Sequence, residues 1–179
     1  MVAPISPAKK LSYGKDTWWL VPAGANKNAP TVAEVNSASG LNLAGVLLQD
    51  FEGMTSSTDK VTIPAVMMET SVTEVSGATT HSMADMQVTF QPQAAGGTAG
   101  KEAWELVNGG SFEGWAVRRQ DVDSSLSDAV TAGQFVDVVP VEIDQPIPGR
   151  TSSGPEGIYI FTAPVSVTGD PAFNKAVVA

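Results

Sequence analysis

Asp85-Met-Gln-Val-Thr-Phe90 decides the fold class. Met86, Val88 and Phe90 alternate with Asp85, Gln87 and Thr89, a period of two. Successive side chains of a strand point to opposite faces, so this stretch reads as a half-buried strand within 80–91. Similar short runs rich in Val, Thr, Ile, Phe and Trp recur along the chain. Twelve prolines and seventeen glycines punctuate them. Short apolar runs between turn residues predict an all-β domain. The 179 residues suit one domain, 1–179, with no internal repeat.

Working outward, strands are expected at 16–22, within 41–51, at 60–68, 112–119, 135–143 and 158–168. Pro64 argues that 60–68 is an edge or bulged strand. Thr31-Val-Ala-Glu34 matches a capping box and predicts a helical turn over 32–38, stopped by Gly40. Ala103, Trp104 and Val107 share one face of a predicted helix over 101–108. A helix of about two turns does not persist alone, so it must pack on a sheet. The fold class is therefore mainly β: an antiparallel β-sandwich or barrel with one short flanking α-helix. Segment 1–10 reads as an extended arm and 51–80 as a long hairpin or projecting loop. Residues 147–157 read as a hairpin loop, and 173–179 as a C-terminal tail.

The composition excludes whole classes of chemistry. There is no cysteine, which removes thiolate catalysis and disulfides. His81 is the single histidine, so the usual transition-metal ligand sets cannot be built. No EF-hand spacing appears, and no Gly-Lys-Ser/Thr or GxGxxG pattern follows the glycine pairs. His81 lies in a Thr-Thr-His-Ser stretch without a nucleophile elbow, so no triad is expected. The expectation is no enzyme and no cofactor. No apolar run approaches the roughly 20 residues of a membrane span, so no membrane anchor is expected.

The formal charge is −9. A chain of that sign is repelled by phosphates in bulk, which argues against sequence-reading of DNA. The charges are uneven. Lys9, Lys10, Lys15 and Lys27 face Asp16 alone near the start. Asp121, Asp123, Asp128, Asp137, Glu142 and Asp144 follow later with no base among them. Opposite charge on two regions of one chain favours attraction between copies, although an ordinary solvated surface reads the same way. Glu142 and Asp144 are two apart and face one side of a strand. Of Trp18 and Trp19, one is expected in the core and the other on the outer face, where tryptophan favours protein contacts. Trp104 and Trp115 read as core. Arg118-Arg119 reads either as a salt-bridging patch for a neighbour or as solvated surface.

Three stretches carry a resemblance: SPAKKLSYGKDTWWLVPAG (6–24), WELVNGGSFEGWAVRR (104–119) and FTAPVSVTGDPAFNKAVVA (161–179). With them the chain resembles, end to end, the major tail protein, or tail tube subunit, of long-tailed bacteriophages of actinobacteria. The resemblance implies a structural virion protein, assembled in the host cytoplasm and retained in the phage tail. It implies hexameric rings stacked into a hollow tube that delivers genomic double-stranded DNA without sequence-specific binding. The implied partners are other copies, the tape-measure protein, and the tail tip and terminator proteins. The actinobacterial likeness favours a non-contractile, siphovirus-type tail. Glu142, Asp144, Asp121, Asp123 and Asp128 are candidate lumen acids. Pro4, Pro7, Lys9, Lys10, Trp18, Trp19, Arg118, Arg119 and Phe173 are candidate contacts between subunits. The competing readings are a carbohydrate- or receptor-binding β-sandwich, and another virion ring protein such as a decoration protein or tail terminator.

Overall fold

The computed structural model describes residues 14–64, 73–124 and 129–179. Two antiparallel sheets pack face to face and a hairpin projects from them. The larger sheet holds β1 (Thr17–Pro22), β2 (Leu41–Asn42), β6 (Phe112–Arg119), β7 (Phe135–Ile143), β10 (Val165–Val167) and β11 (Ala172–Ala176). Its order is β10-β7-β6-β1-β2, and β11 pairs β7 beyond β10. The smaller sheet is β5 (Met86–Thr89), β9 (Tyr159–Ala163) and β8 (Ile147–Arg150), in that order. β3 (Met54–Ile63) and β4 (Thr73–Met83) form the hairpin.

The core follows from strand alternation. Trp18, Leu20, Ala116, Val139, Val141 and Ile143 line one face of the large sheet. They meet Met86, Val88, Phe161 and Ala163 of the small sheet. Helix α2 (Ala99–Val107) closes this core with Ala103 and Val107. Phe90 stacks on Trp104 at 5.1 Å, and Phe161 meets both rings edge-on at 5.3 and 5.4 Å. These are favoured aromatic geometries. Gly100 is required where α2 lands on β5, because a Cβ there would lie 2.2 Å from the Thr89 carbonyl oxygen.

The other face of the large sheet is covered too. Trp19, Val21, Trp115, Val117, Val136 and Val138 form a second core. It is closed by Val35 of helix α1 (Val32–Val35), by Val130 and by Val177. The expected capping box is present. Thr31 Oγ1 accepts from Glu34 N, and Thr31 N donates to Glu34 Oε2 at 2.8 Å. The second Glu34 oxygen accepts from Ala25 N at 2.7 Å. Amides donated by Thr31 and Ala25 hold the Glu34 carboxyl below the usual carboxylate range.

Four expectations change. The 158–168 strand is two strands, because Pro164 lacks an N–H and the chain turns there from the small sheet into the large one. The 80–91 strand is likewise broken at Ala84-Asp85, between β4 and β5. The 147–157 loop contains β8, whose four residues pair with β9 despite Pro148. The 173–179 tail is no free end. β11 pairs β7, and Val178 exchanges backbone bonds with Pro30 and Val32. Within 60–68, β3 ends at Ile63, before Pro64, and 65–68 lie outside the described residues. The arm 1–10 lies outside the described residues.

Candidate assembly surfaces

Sequence reasoning placed one tryptophan of the Trp18–Trp19 pair outside. Both are buried, at 6% and 3% exposure. The reason is the second core, which covers the face that a two-layer sandwich would leave to solvent. The neighbouring arginines are spoken for as well. Arg118 and Arg119 lie across from β1 and stack over Trp18 and Trp19, at 5.5 and 5.2 Å from the ring centroids. Arg118 also pairs with Asp16 at 2.6 Å, and Arg119 is 2% exposed. This is an internal cation–π arrangement, in which the flat guanidinium suits the ring face. It is neither solvated surface nor a free patch for a neighbour.

The candidate acids separate by position. Asp123 pairs with Lys15, which lowers the Asp123 carboxyl and raises the Lys15 ammonium through one short hydrogen bond. Asp121 is exposed and has a left-handed backbone, φ 63°. Asp128 lies outside the described residues, as do Pro4, Pro7, Lys9 and Lys10. Asp144 is exposed one residue past β7, where its amide donates to the Pro164 carbonyl. Glu142 is half-buried within β7.

Directly opposite Glu142 on β6 stands Glu113. The two glutamates share the second face of the large sheet, beyond the part that α1 and Val177 cover. Neither pairs with a described basic side chain. Like charges directly opposite on neighbouring strands are destabilising, so folding alone gives no reason to keep the pair. Sequence reading missed Glu113. Its alternation was visible, but its proximity to Glu142 depends on the β6–β7 register.

The second surface is the hairpin. Of its described ladder residues only Met83 is buried, within the main core, and Met54 packs against that core. Its near half is a polar ladder: Thr55 with Ser82, Thr58 with Thr79, and Ser56 with His81 Nδ1 at 2.7 Å. His81 is thus a cross-strand partner of Ser56, and among the described residues no carboxylate pairs with it to make a triad. Its far half carries exposed Val61, Ile63 and Val75. Phe173, by contrast with the tryptophans, is an exposed aromatic on β11 at 49%. Among the described residues, no helix is long and apolar enough to cross a membrane.

Comparison with known proteins supplies the identity. The family model described as phage tail tube protein matches residues 3–179. Among curated proteins, none matches the chain. A chain of the structure titled "Cryo-EM structure of the anti-feeding prophage (AFP) baseplate, 6-fold symmetrised" has a similar fold, with a TM-score of 0.53 at 11% identity. The similarity covers 96% of this chain and 98% of that one. Because the family match spans nearly all its residues, the chain belongs to the phage tail tube proteins and is a structural protein of the virion tail.

Proposed function

We propose that this protein assembles with copies of itself into hexameric rings, and that the rings stack into the tube that delivers double-stranded DNA to the host. The observation that carries the reading is the family match from residue 3 to residue 179. The unpaired Glu113 and Glu142 support a lumen role for that end of the sheet. A negative wall repels phosphates, so DNA slides through without sticking. Asp144, one residue beyond β7, extends the same wall. Phe173 is a contact to a neighbouring subunit. The tape-measure protein fills the lumen during assembly in the host cytoplasm, and the tail tip and terminator proteins close the ends. The tail is of the non-contractile type found on actinobacteriophages. The protein has no catalytic role.

A sugar-binding module needs an exposed stacking ring, and burial of Trp18 and Trp19 removes the pair that suggested one. End-on electron micrographs of the assembled protein test the proposal. Six subunits around an open centre are expected. A different rotational order, or a solid centre, contradicts it.

A further inference from the structure

Asparagine stands at 26, 28, 36, 42, 108 and 174, and only Asn108 is followed by glycine. A glycine has no Cβ to shield its backbone nitrogen, so that nitrogen can approach the side-chain carbonyl carbon of the asparagine before it. Asn36, followed by the small Ser37, is the natural comparison, and the fold treats the two differently.

Asn36 is locked. Its Nδ2 donates to the Val130 carbonyl at 2.7 Å, and its Oδ1 accepts from the Val130 amide at 2.8 Å. Asn108 is the C-cap of α2, and it is exposed, as are Gly109 and Gly110. Its Oδ1 accepts from Gln145 Nε2 at 3.0 Å, and among the described residues nothing pairs with its Nδ2. Among the described residues no hydrogen bond holds the Gly109 amide either. Asn108 has φ −78° and ψ −10°, which does not bring the Gly109 nitrogen behind Cγ. The backbone must swing about ψ before the two atoms meet. It has room to do so, because a Cβ at Gly109 or Gly110 would meet no atom within 4 Å. Once they meet, the Gln145 amide on Oδ1 stabilises the negative charge that gathers on that oxygen.

We propose that Asn108–Gly109 is a site of spontaneous deamidation in the folded protein. The Gly109 nitrogen gives up its proton to solvent and attacks Asn108 Cγ. The new N–C bond closes a cyclic imide, the Cγ–Nδ2 bond breaks, and Nδ2 leaves as ammonia. Water then opens the ring at either carbonyl and leaves an aspartate or an isoaspartate at 108. The product carries one negative charge more than the formal −9 of the sequence. Through Gln145 that charge lies beside Asp144, just past the end of β7 that carries Glu142. Under the proposed tube reading the acid-rich end therefore grows more negative as the protein ages. The conversion itself does not depend on that reading.

The test ages the full-length protein in mildly alkaline buffer, both native and unfolded in urea, beside an unaged control. Trypsin cleaves after Lys101 and Arg118 and releases 102–118, in which Asn108 is the only amide side chain. Chromatography and mass spectrometry then follow that peptide. In the native sample it should split into aspartyl and isoaspartyl forms while Asn36, located by fragmentation, stays an amide. Gly109→Ala should slow the conversion by about threefold or more, because a Cβ restricts the swing. A peptide that stays intact in the native sample while the unfolded chain converts would overturn the proposal, since the fold would then protect the site. No conversion in either sample, or conversion of Asn36 ahead of Asn108, would overturn it as well.

Discussion

Replacing Glu113 and Glu142 together by lysine will leave the subunit folded and stop its tube from passing DNA. The two carboxylates face each other across β6 and β7 without a described basic partner. The double reversal exchanges one like-charged pair for another, so the cross-strand repulsion stays of the same size. Fold stability should therefore change little. Under the proposed reading, in which the pair faces the lumen of a ring, the wall changes sign and each ring then offers cations to the passing phosphates. Phosphate contacts govern DNA affinity in proportion to their number, so a ring of lysines holds DNA that a ring of glutamates repels. Phage carrying the double variant should assemble tails and lose infectivity by roughly a hundredfold or more. The single variant Glu113→Lys makes a favourable cross-strand pair with Glu142, worth about 0.2–1 kcal/mol, and should melt slightly higher than wild type. Normal infectivity from the double variant would show that this end of the sheet does not line the path of DNA.

Phe161→Ala has the largest expected effect on stability. Phe161 is 1% exposed and lies edge-on to both Phe90 and Trp104, where the small sheet, the large sheet and α2 meet. Truncation removes those contacts and leaves a cavity that the two sheets cannot close without shifting. The expected loss is about 3–5 kcal/mol in urea unfolding. That is a large share of the roughly 5–15 kcal/mol that holds a typical domain together. Phe173→Ala removes a ring of equal size from an exposed place on β11 and should cost the isolated subunit under about 0.5 kcal/mol. Similar losses from the two variants would contradict the packing described here.

The parts of the fold that were legible in sequence obey local rules. β6 and β7 occupy the expected ranges, 112–119 and 135–143, because alternation runs unbroken between polar turns. The cap of α1 was readable because Thr31 and Glu34 satisfy each other's amides within four residues. The rest depended on contacts distant in sequence. Nothing local says that Val35, Val130 and Val177 converge on the back of the large sheet, yet that second core buries Trp19 and Arg119. β8 was hidden because Pro148-Gly149 reads as a turn, although an edge strand tolerates both. The candidate lumen site was half legible. Glu142 stood out by its strand parity, and Glu113 became its partner only through the register of β6 on β7. The hairpin strands were legible as a polar, β-prone stretch.

Under the proposed function, copies of this domain build a hollow tube. Negative-stain electron microscopy of the purified protein, imaged over time at rising concentration, tests it most directly. Hollow tubes of one diameter, whose length grows with concentration, are expected. A species that stays monomeric or stops at a small closed oligomer at every concentration would contradict it.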